Sequence, residues 1–301
     1  MIDETGWRVG CMKRCIVLIL VILLLLPNTS KAASSDAVSI LLLGTDDIGE
    51  QPVDSNEEIS RSDAIFVITL QPKTRAIKLL SIERDYLVDL PNDLGKNKLG
   101  VSSFFGGPQM TLDAVNQLLQ LDLPRYMHID IKNLIKVIDI MGGVDVEIHE
   151  DEVEAVNTFI NAIMTYTDLK NVVAGINHLG GPEAWAFLGV RDNDIQTVES
   201  NSVRNDRQRR VMTAFLDIFY KMDLAKAINL ANEIIPLIRT NLTMNDLLSL
   251  IKSVISCDFA KISYMRTPIG EYKMQRINMH MVVVVSNMQQ EIENVHKFLF
   301  D

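Results

Sequence analysis

The sequence predicts an α/β domain, its helices layered on a sheet, and three observations carry that prediction. Two apolar segments, Ala64–Leu70 and Ala76–Ile82, flank Pro72-Lys73-Thr74-Arg75. β-Branched and aliphatic runs on either side of a short turn predict an antiparallel hairpin. Helix and strand signals then alternate between Thr111 and Ile148, the pattern that lays helices on a sheet. Finally, Asn201–Met222 reads as a long amphipathic helix: at about 100° per residue, Val211, Phe215, Phe219 and Met222 form one stripe.

Val38–Leu43 is a short buried strand ending in Gly44-Thr45-Asp46-Asp47, and a polar, acidic loop, Ile48–Ser60, leads into the hairpin. After the hairpin, Tyr86–Pro91 and a Gly/Asn/Lys loop run to Gly107. Thr111–Gln120 has helical apolar spacing with Thr111 as N-cap, and Pro124 stops it. Tyr126–Ile131 reads as a strand, Lys132–Met141 as a helix closed by Gly142-Gly143, and Val144–Ile148 as a strand. Asp151–Tyr166 and Ala184–Leu188, behind Pro182, read as helices. Further helices are expected at Leu224–Ile234, Met244–Ser256 (capped by Thr243) and Asn287–Phe300, with strands at Lys261–Arg266 and Met281–Val285.

With 301 residues and a hydrophobic share of 48%, the chain can bury a sizeable core. The net charge of -10 argues against nucleic-acid binding through whole-protein electrostatics, though not against a local basic pocket. Cys257 stands alone in the body of the chain, so the fold is no disulfide scaffold, and Cys257 reads as a small core residue. At the N-terminus, Arg8, Lys13 and Arg14 precede the apolar run Ile16–Leu26 and a small-residue stretch to Ala33. This resembles a signal peptide or short anchor more than a full span, which needs about twenty residues. Everything after about Ser34 is then expected outside the cytoplasmic membrane, because basic flanks stay inside.

The hairpin also gathers charge. With the turn near Lys73-Thr74, Asp63 lies opposite Arg84, and Arg61 close to Asp85. Four charges at the end of two apolar strands are either two structural ion pairs or a site, and strand geometry alone leaves both open. Asp46 and Asp47, directly after a buried strand, fit a site at the carboxyl edge of a sheet or an Asp-rich turn. Tracing the long helix stripe back one turn at a time reaches Gln208 and Arg204, which therefore face inward. Arg209 falls on the opposite, solvated side, and Arg210 well off the stripe.

These residues resemble the LytR-CpsA-Psr (LCP) family. ILLLGTD (Ile40–Asp46), RSD (Arg61–Asp63), SIERD (Ser81–Asp85), FGGPQM (Phe105–Met110), MGGVDVEI (Met141–Ile148), the Leu179–Arg191 helix and RNDRQRRV (Arg204–Val211) stand in the family's order. The resemblance implies an α/β/α sandwich with a central mixed sheet and a hydrophobic tunnel. It divides the chain into a leader or anchor over 1–33, a catalytic domain over 34–222 and a small α+β extension over 223–301. It implies an extracytoplasmic phosphotransferase, membrane-anchored or released to the wall. Such an enzyme moves teichoic acid or capsular polysaccharide from a polyprenyl pyrophosphate carrier onto peptidoglycan. Carried over by position, Asp46 and Asp63 bind Mg²⁺ (or Mn²⁺). Arg61, Arg84, Arg191, Arg204 and Gln208 contact the phosphates, with Arg84, Asp63 and Arg204 as the catalytic set. Planar guanidinium forks suit a pyrophosphate better than Lys does, and Mg²⁺ commonly takes one or two carboxylates.

The chain departs from the family pattern at four places. Gly189 stands where many members have the first Arg of Arg-x-Arg, and Asn201 where many have Asp. Glu83 replaces proline in Ser-Ile-Pro-Arg-Asp, and Lys98-Leu99-Gly100 replaces Lys-Ile-Asn. Losing one preorganised cation can cost catalysis a few kcal/mol. A module that binds polyprenyl phosphate or wall polymer without transferring it is therefore the alternative reading. The exported topology and acidic balance disfavour a transcriptional regulator.

Overall fold

The computed structural model describes residues 37–45, 61–163, 169–190, 198–221, 229–230, 233–258, 261–277 and 280–301. Expectations for the N-terminal leader, the Ile48–Ser60 loop, Met222 and most of Leu224–Ile234 lie outside them, and residues Asp36–Asp301 form one compact unit.

Strand β1 (Val38–Thr45) precedes β2 (Ser62–Gln71) and β3 (Ala76–Ile82). β2 and β3 form the expected hairpin, with Gln71 opposite Ala76 and Phe66 opposite Ser81. The segment expected as loop up to Gly107 contains a small hairpin of β4 (Leu87–Leu90) and β5 (Gly95–Lys98), whose tip carries Asn92 and Asp93 at positive φ. Helix α1 (Ser102–Leu119) then bends at Gly106 and Gly107, the latter at φ 64°. The Thr111 cap is therefore corrected: the straight part starts at Pro108, whose fixed φ suits a first helical turn. Thr111 is buried inside the helix, and its hydroxyl accepts from Ser102 Oγ at 2.8 Å.

β6 (Tyr126–Asp130), α2 (Ile131–Ile140) and β7 (Val144–Ile148) follow as their patterns imply. Asp130 caps α2 by accepting from the Asn133 N–H at 2.8 Å, and Gly142 and Gly143, both at positive φ, turn the chain into β7. A 3₁₀ turn at Glu150–Glu152 leads into α3 (Val153–Ala162). β8 (Gly175–Leu179) pairs back on β7 and leads to α4 (Gly181–Gly189) and α5 (Val198–Lys221). The last third holds β9 (Arg239–Thr240), α6 (Met244–Ser256), β10 (Ile262–Thr267), β11 (Tyr272–Ile277), β12 (His280–Val285) and α7 (Met288–Phe300). Thr243 and Asp246 cap α6 reciprocally, as a capping box does.

Among the described residues the main sheet has the order β10-β3-β2-β1-β6-β9. β10 runs parallel to β3 and β6 parallel to β1, whereas β2 and β9 oppose their neighbours. β1, β3, β6 and β10 thus point the same way and present their carboxyl ends at one edge. One sheet face packs Leu41, Leu43, Ile65, Val67 and Leu80 under α1 and α7. The other packs Ile40, Phe66, Ile68 and Leu79 under Met212 of α5 and residues of α6. The result is the expected three-layer sandwich on a mixed sheet. Each fully buried aliphatic side chain contributes about 1.5–3 kcal/mol. A separate cluster joins β7, α3 and α4 to Val211 of α5. α5 therefore packs on two sides, Met212 toward the sheet and Val211 and Phe215 toward this cluster.

Candidate functional site

The site begins with an irregularity in β2. Gly44 pairs with Ala64 and Thr45 with Ser62, so Asp63 has no opposite number in β1. It is the extra residue of a β-bulge, a device that re-aims a side chain. Alternation from Ile65 and Val67 would send Asp63 toward α1; the bulge turns it toward α5. Its carboxylate, 7% exposed, accepts from Arg84 Nη1 through Oδ1 and lies 3.0 Å from Arg204 Nη2 through Oδ2. Gln208 Nε2 reaches the Asp63 carbonyl oxygen at 3.4 Å. Four of the sequence-predicted site residues thus meet at the carboxyl edge of the sheet, the place where α/β sheets bind ligands.

Arg84 is fixed from three directions. The N–H of Glu83 donates to the Thr267 carbonyl oxygen at 3.1 Å, continuing the β3–β10 pairing, and Glu83 Oε2 accepts from Arg266 Nη2 at 2.7 Å. Gly100 N donates to the Arg84 carbonyl oxygen at 2.8 Å. A Cβ at Gly100 would stand 2.8 Å from the Ser62 oxygen and 3.2 Å from Arg84 Cβ, so the bare glycine lets this loop close over both site strands. The end of β10 is itself anchored: Tyr86 and Thr267 share a 2.7 Å hydroxyl contact, and Thr267 Oγ1 donates to buried Glu291 at 2.6 Å. Burial pushes the Tyr86 phenol far up, which keeps it neutral.

Not every expected neighbour is present. Asp85 pairs with Lys98 of β5 at 2.8 Å, and Arg61 is exposed, which corrects the Arg61–Asp85 proximity: the β4–β5 hairpin supplies a nearer cation. Asp46 and Arg191 lie outside the described residues. Thr45, directly before Asp46, shares a 3.1 Å contact with Nε2 of buried His128 on β6. Arg209 pairs with Asp206 and lies over the Tyr264 ring, 5.4 Å from its centroid.

Sequence reading passed over Arg207, the largest fully buried side chain of the chain's described part, at 1% exposure. Its Nε donates to Glu152 Oε1 at 2.8 Å and its Nη1 to the Val190 carbonyl oxygen at 2.9 Å. Arg210 binds the same carboxylate through two nitrogens at 2.6 and 2.8 Å. Burial pushes the Glu152 carboxyl up, but the donors from Arg210, the His149 N–H and Arg207 outweigh it and hold the group down to about 2. A signal was available: Arg207 is four residues before Val211 and so only about 40° from its direction on a helix.

A family model described as the LytR_cpsA_psr family matches residues 26–298. The chain belongs to this family. Among curated relatives, the polyisoprenyl-teichoic acid--peptidoglycan teichoic acid transferase TagU of Bacillus mycoides (strain KBAB4) is 29% identical over 231 residues, 76% of this chain and 68% of that protein. TagV of Bacillus subtilis (strain 168), named for the same transfer, is 29% identical over 215 residues; the match spans 70% of this chain and 51% of TagV. In structure, B. subtilis TagV has a TM-score of 0.67 at 24% identity, covering 89% of this chain and 98% of the other. Protein gbs0355 from Streptococcus agalactiae has a TM-score of 0.71 at 21% identity, covering 88% of each chain. The likeness to these structures is one of fold, a mixed sheet between helical layers.

Proposed function

We propose that this chain is a wall-glycopolymer transferase that takes its polymer from a polyprenyl pyrophosphate carrier and attaches it to peptidoglycan outside the cytoplasmic membrane. The observation that carries the proposal is Asp63, lifted out of the ladder and held between guanidiniums from a strand and a helix. The side chains of Arg84 and Arg204 are 19% and 15% exposed, so the cluster opens to solvent rather than being sealed as a core ion pair. The family relatives named for teichoic acid transfer support the substrate class.

In this reading an acceptor hydroxyl of peptidoglycan attacks the polymer-bearing phosphorus. A new P–O bond forms, the bridging P–O bond breaks, polyprenyl monophosphate leaves with the electron pair, and the hydroxyl proton passes to the solvent to which the cluster opens. Arg84 and Arg204 orient the equatorial oxygens through their planar forks and stabilise charge developing there. Gln208 supplies a neutral donor beside them.

The donor set fits Mg²⁺. The described part offers the Asp63 carboxylate, and Asp46 follows β1 in the sequence. An ion there would be held by these one or two carboxylates and the substrate's phosphates. When bound, Mg²⁺ would offset charge on the bridging and leaving oxygens.

The test is transfer of a lipid-linked teichoic acid to peptidoglycan by purified protein. Turnover should need Mg²⁺ and fall at least about 100-fold in Arg84→Ala, the scale of losing one preorganised donor; unchanged turnover in that variant sinks the assignment. One observation favours the second reading, a binding module without transfer. Gly189 packs against the Phe159 ring, where an added Cβ would lie 3.1 Å from Cζ, so a structural contact occupies the place of the family's first arginine. Lipid that co-purifies with the protein, without turnover, would establish that reading instead.

A further inference from the structure

We propose that Arg207 and Glu152 form a clamp that positions the phosphate-contacting residues of α5, an inference that rests on the phosphate-transfer reading above. The Glu152 carboxylate takes donors on both oxygens: Arg207 Nε at 2.8 Å and Arg210 Nη2 at 2.6 Å on Oε1, Arg210 Nη1 at 2.8 Å and the His149 N–H at 2.9 Å on Oε2. Arg207 continues past the carboxylate to the Val190 carbonyl oxygen, the last described atom group before Arg191. Both arginines lie over the Phe187 ring of α4, at 5.9 and 4.9 Å from its centroid. One guanidinium therefore ties α5 to the end of α4 and, through Glu152, to the turn before α3.

Position along α5 makes this clamp bear on the site. Arg207 is one helical turn after Arg204 and directly precedes Gln208, which contact Asp63 from the same helix. A slide or rotation of α5 would move both off Asp63 together. Stability alone does not call for a buried ion cluster here, because a well-packed apolar side chain of similar volume commonly does as well or better. The fork of Arg does what no apolar residue or Lys can: it bonds a carboxylate and a backbone carbonyl at once, in fixed directions.

Arg207→Met separates position from stability. It keeps the volume, and Glu152 remains paired with Arg210, so no bare carboxylate is left buried. Isothermal titration with inorganic pyrophosphate in Mg²⁺ buffer, alongside thermal unfolding, gives the reading. The clamp predicts a melting temperature close to wild type with pyrophosphate affinity at least tenfold weaker, and the same weakening in Arg207→Lys. Wild-type affinity in a folded Arg207→Met overturns it. Should that variant not fold, Glu152→Gln, which leaves Arg207 on Val190 and Phe187, is read by affinity alone under conditions where it stays folded: pyrophosphate binding at least tenfold weaker supports the clamp, and wild-type affinity overturns it. A wild-type protein that neither binds pyrophosphate nor transfers polymer overturns the phosphate reading itself, and the clamp with it.

Discussion

Glu83 shows how one residue sets a site side chain without touching substrate. Its N–H closes a 3.1 Å bond to Thr267 and its carboxylate holds Arg266 at 2.7 Å, both immediately before Arg84. The proline common in the family has neither an N–H nor a carboxylate to give. Glu83→Pro should therefore destabilise this protein by about 2 kcal/mol, from one lost backbone bond and one half-buried cation left without its carboxylate. Transfer should fall with it, because Arg84 is released; Glu83→Gln keeps the N–H and should lose less of both. Urea midpoints and turnover of the two variants check this, and equal losses would mean the backbone bond is irrelevant. The Asp63–Arg84 pairing was legible because strand register is arithmetic: a turn at Lys73-Thr74 makes opposite residues sum to one constant. Arg61 stands one step off that register from Asp85, and Lys98 of β5 takes the place beside the Asp85 carboxylate. Arg207 lies beside the apolar stripe rather than on it, and packing of α5 on two sides brings it inside.

At the scale of elements, the bulge in β2 and the loop closed by Gly100 decide where the site forms. No sequence pattern marks the bulge, since Ser62-Asp63-Ala64 continues a strand as smoothly as a regular ladder would. Long apolar elements were legible nearly to the residue, as β3, β7 and α6 show. The short strands β5, β8 and β11 were not: they are polar or mixed and largely exposed, and pairing with a neighbour rather than burial of a whole face makes them strands, while β4 buries Val88 and Leu90 in only four residues. Gly100 gives the test at this scale. An added Cβ would stand 2.8 Å from the Ser62 carbonyl oxygen, and that partner is backbone rather than a flexible side-chain end. Gly100→Ala should cost about 1–3 kcal/mol as overpacking does, and it should push apart the strands that carry Asp63 and Arg84. Activity should then drop by more than the folded fraction does. Circular dichroism and turnover on one sample separate the two, and a stable variant with full turnover would show that the loop yields without disturbing the site.

Across the whole molecule, the α/β class and layered sheet followed from alternation that no single segment displays, and electrostatics is the property that likewise belongs to the whole. The chain carries a net charge of -10 at pH 7, yet the carboxylates that matter most to folding are the ones that arginines and backbone donors hold. The Glu152 carboxyl sits at about 2 in the folded protein against an ordinary 4.5. A depressed folded value means its stabilisation is fully present above pH 4.5 and is lost as pH falls toward 2. The shift corresponds to roughly 3 kcal/mol, at 1.36 kcal/mol for each unit. Asp246, held down to about 2 by the Thr243 hydroxyl and then by Arg125, adds a loss in the same window from the cap of α6. Urea midpoints should therefore fall steeply from pH 4.5 to 2, and Glu152→Gln should flatten that fall while lowering stability at pH 7. Because Glu152 anchors α5, pyrophosphate binding in wild type should weaken over the same interval more than it does in Glu152→Gln. Parallel acid profiles in the two proteins would place the lost stability on other carboxylates and leave Glu152 without a part in the acid response.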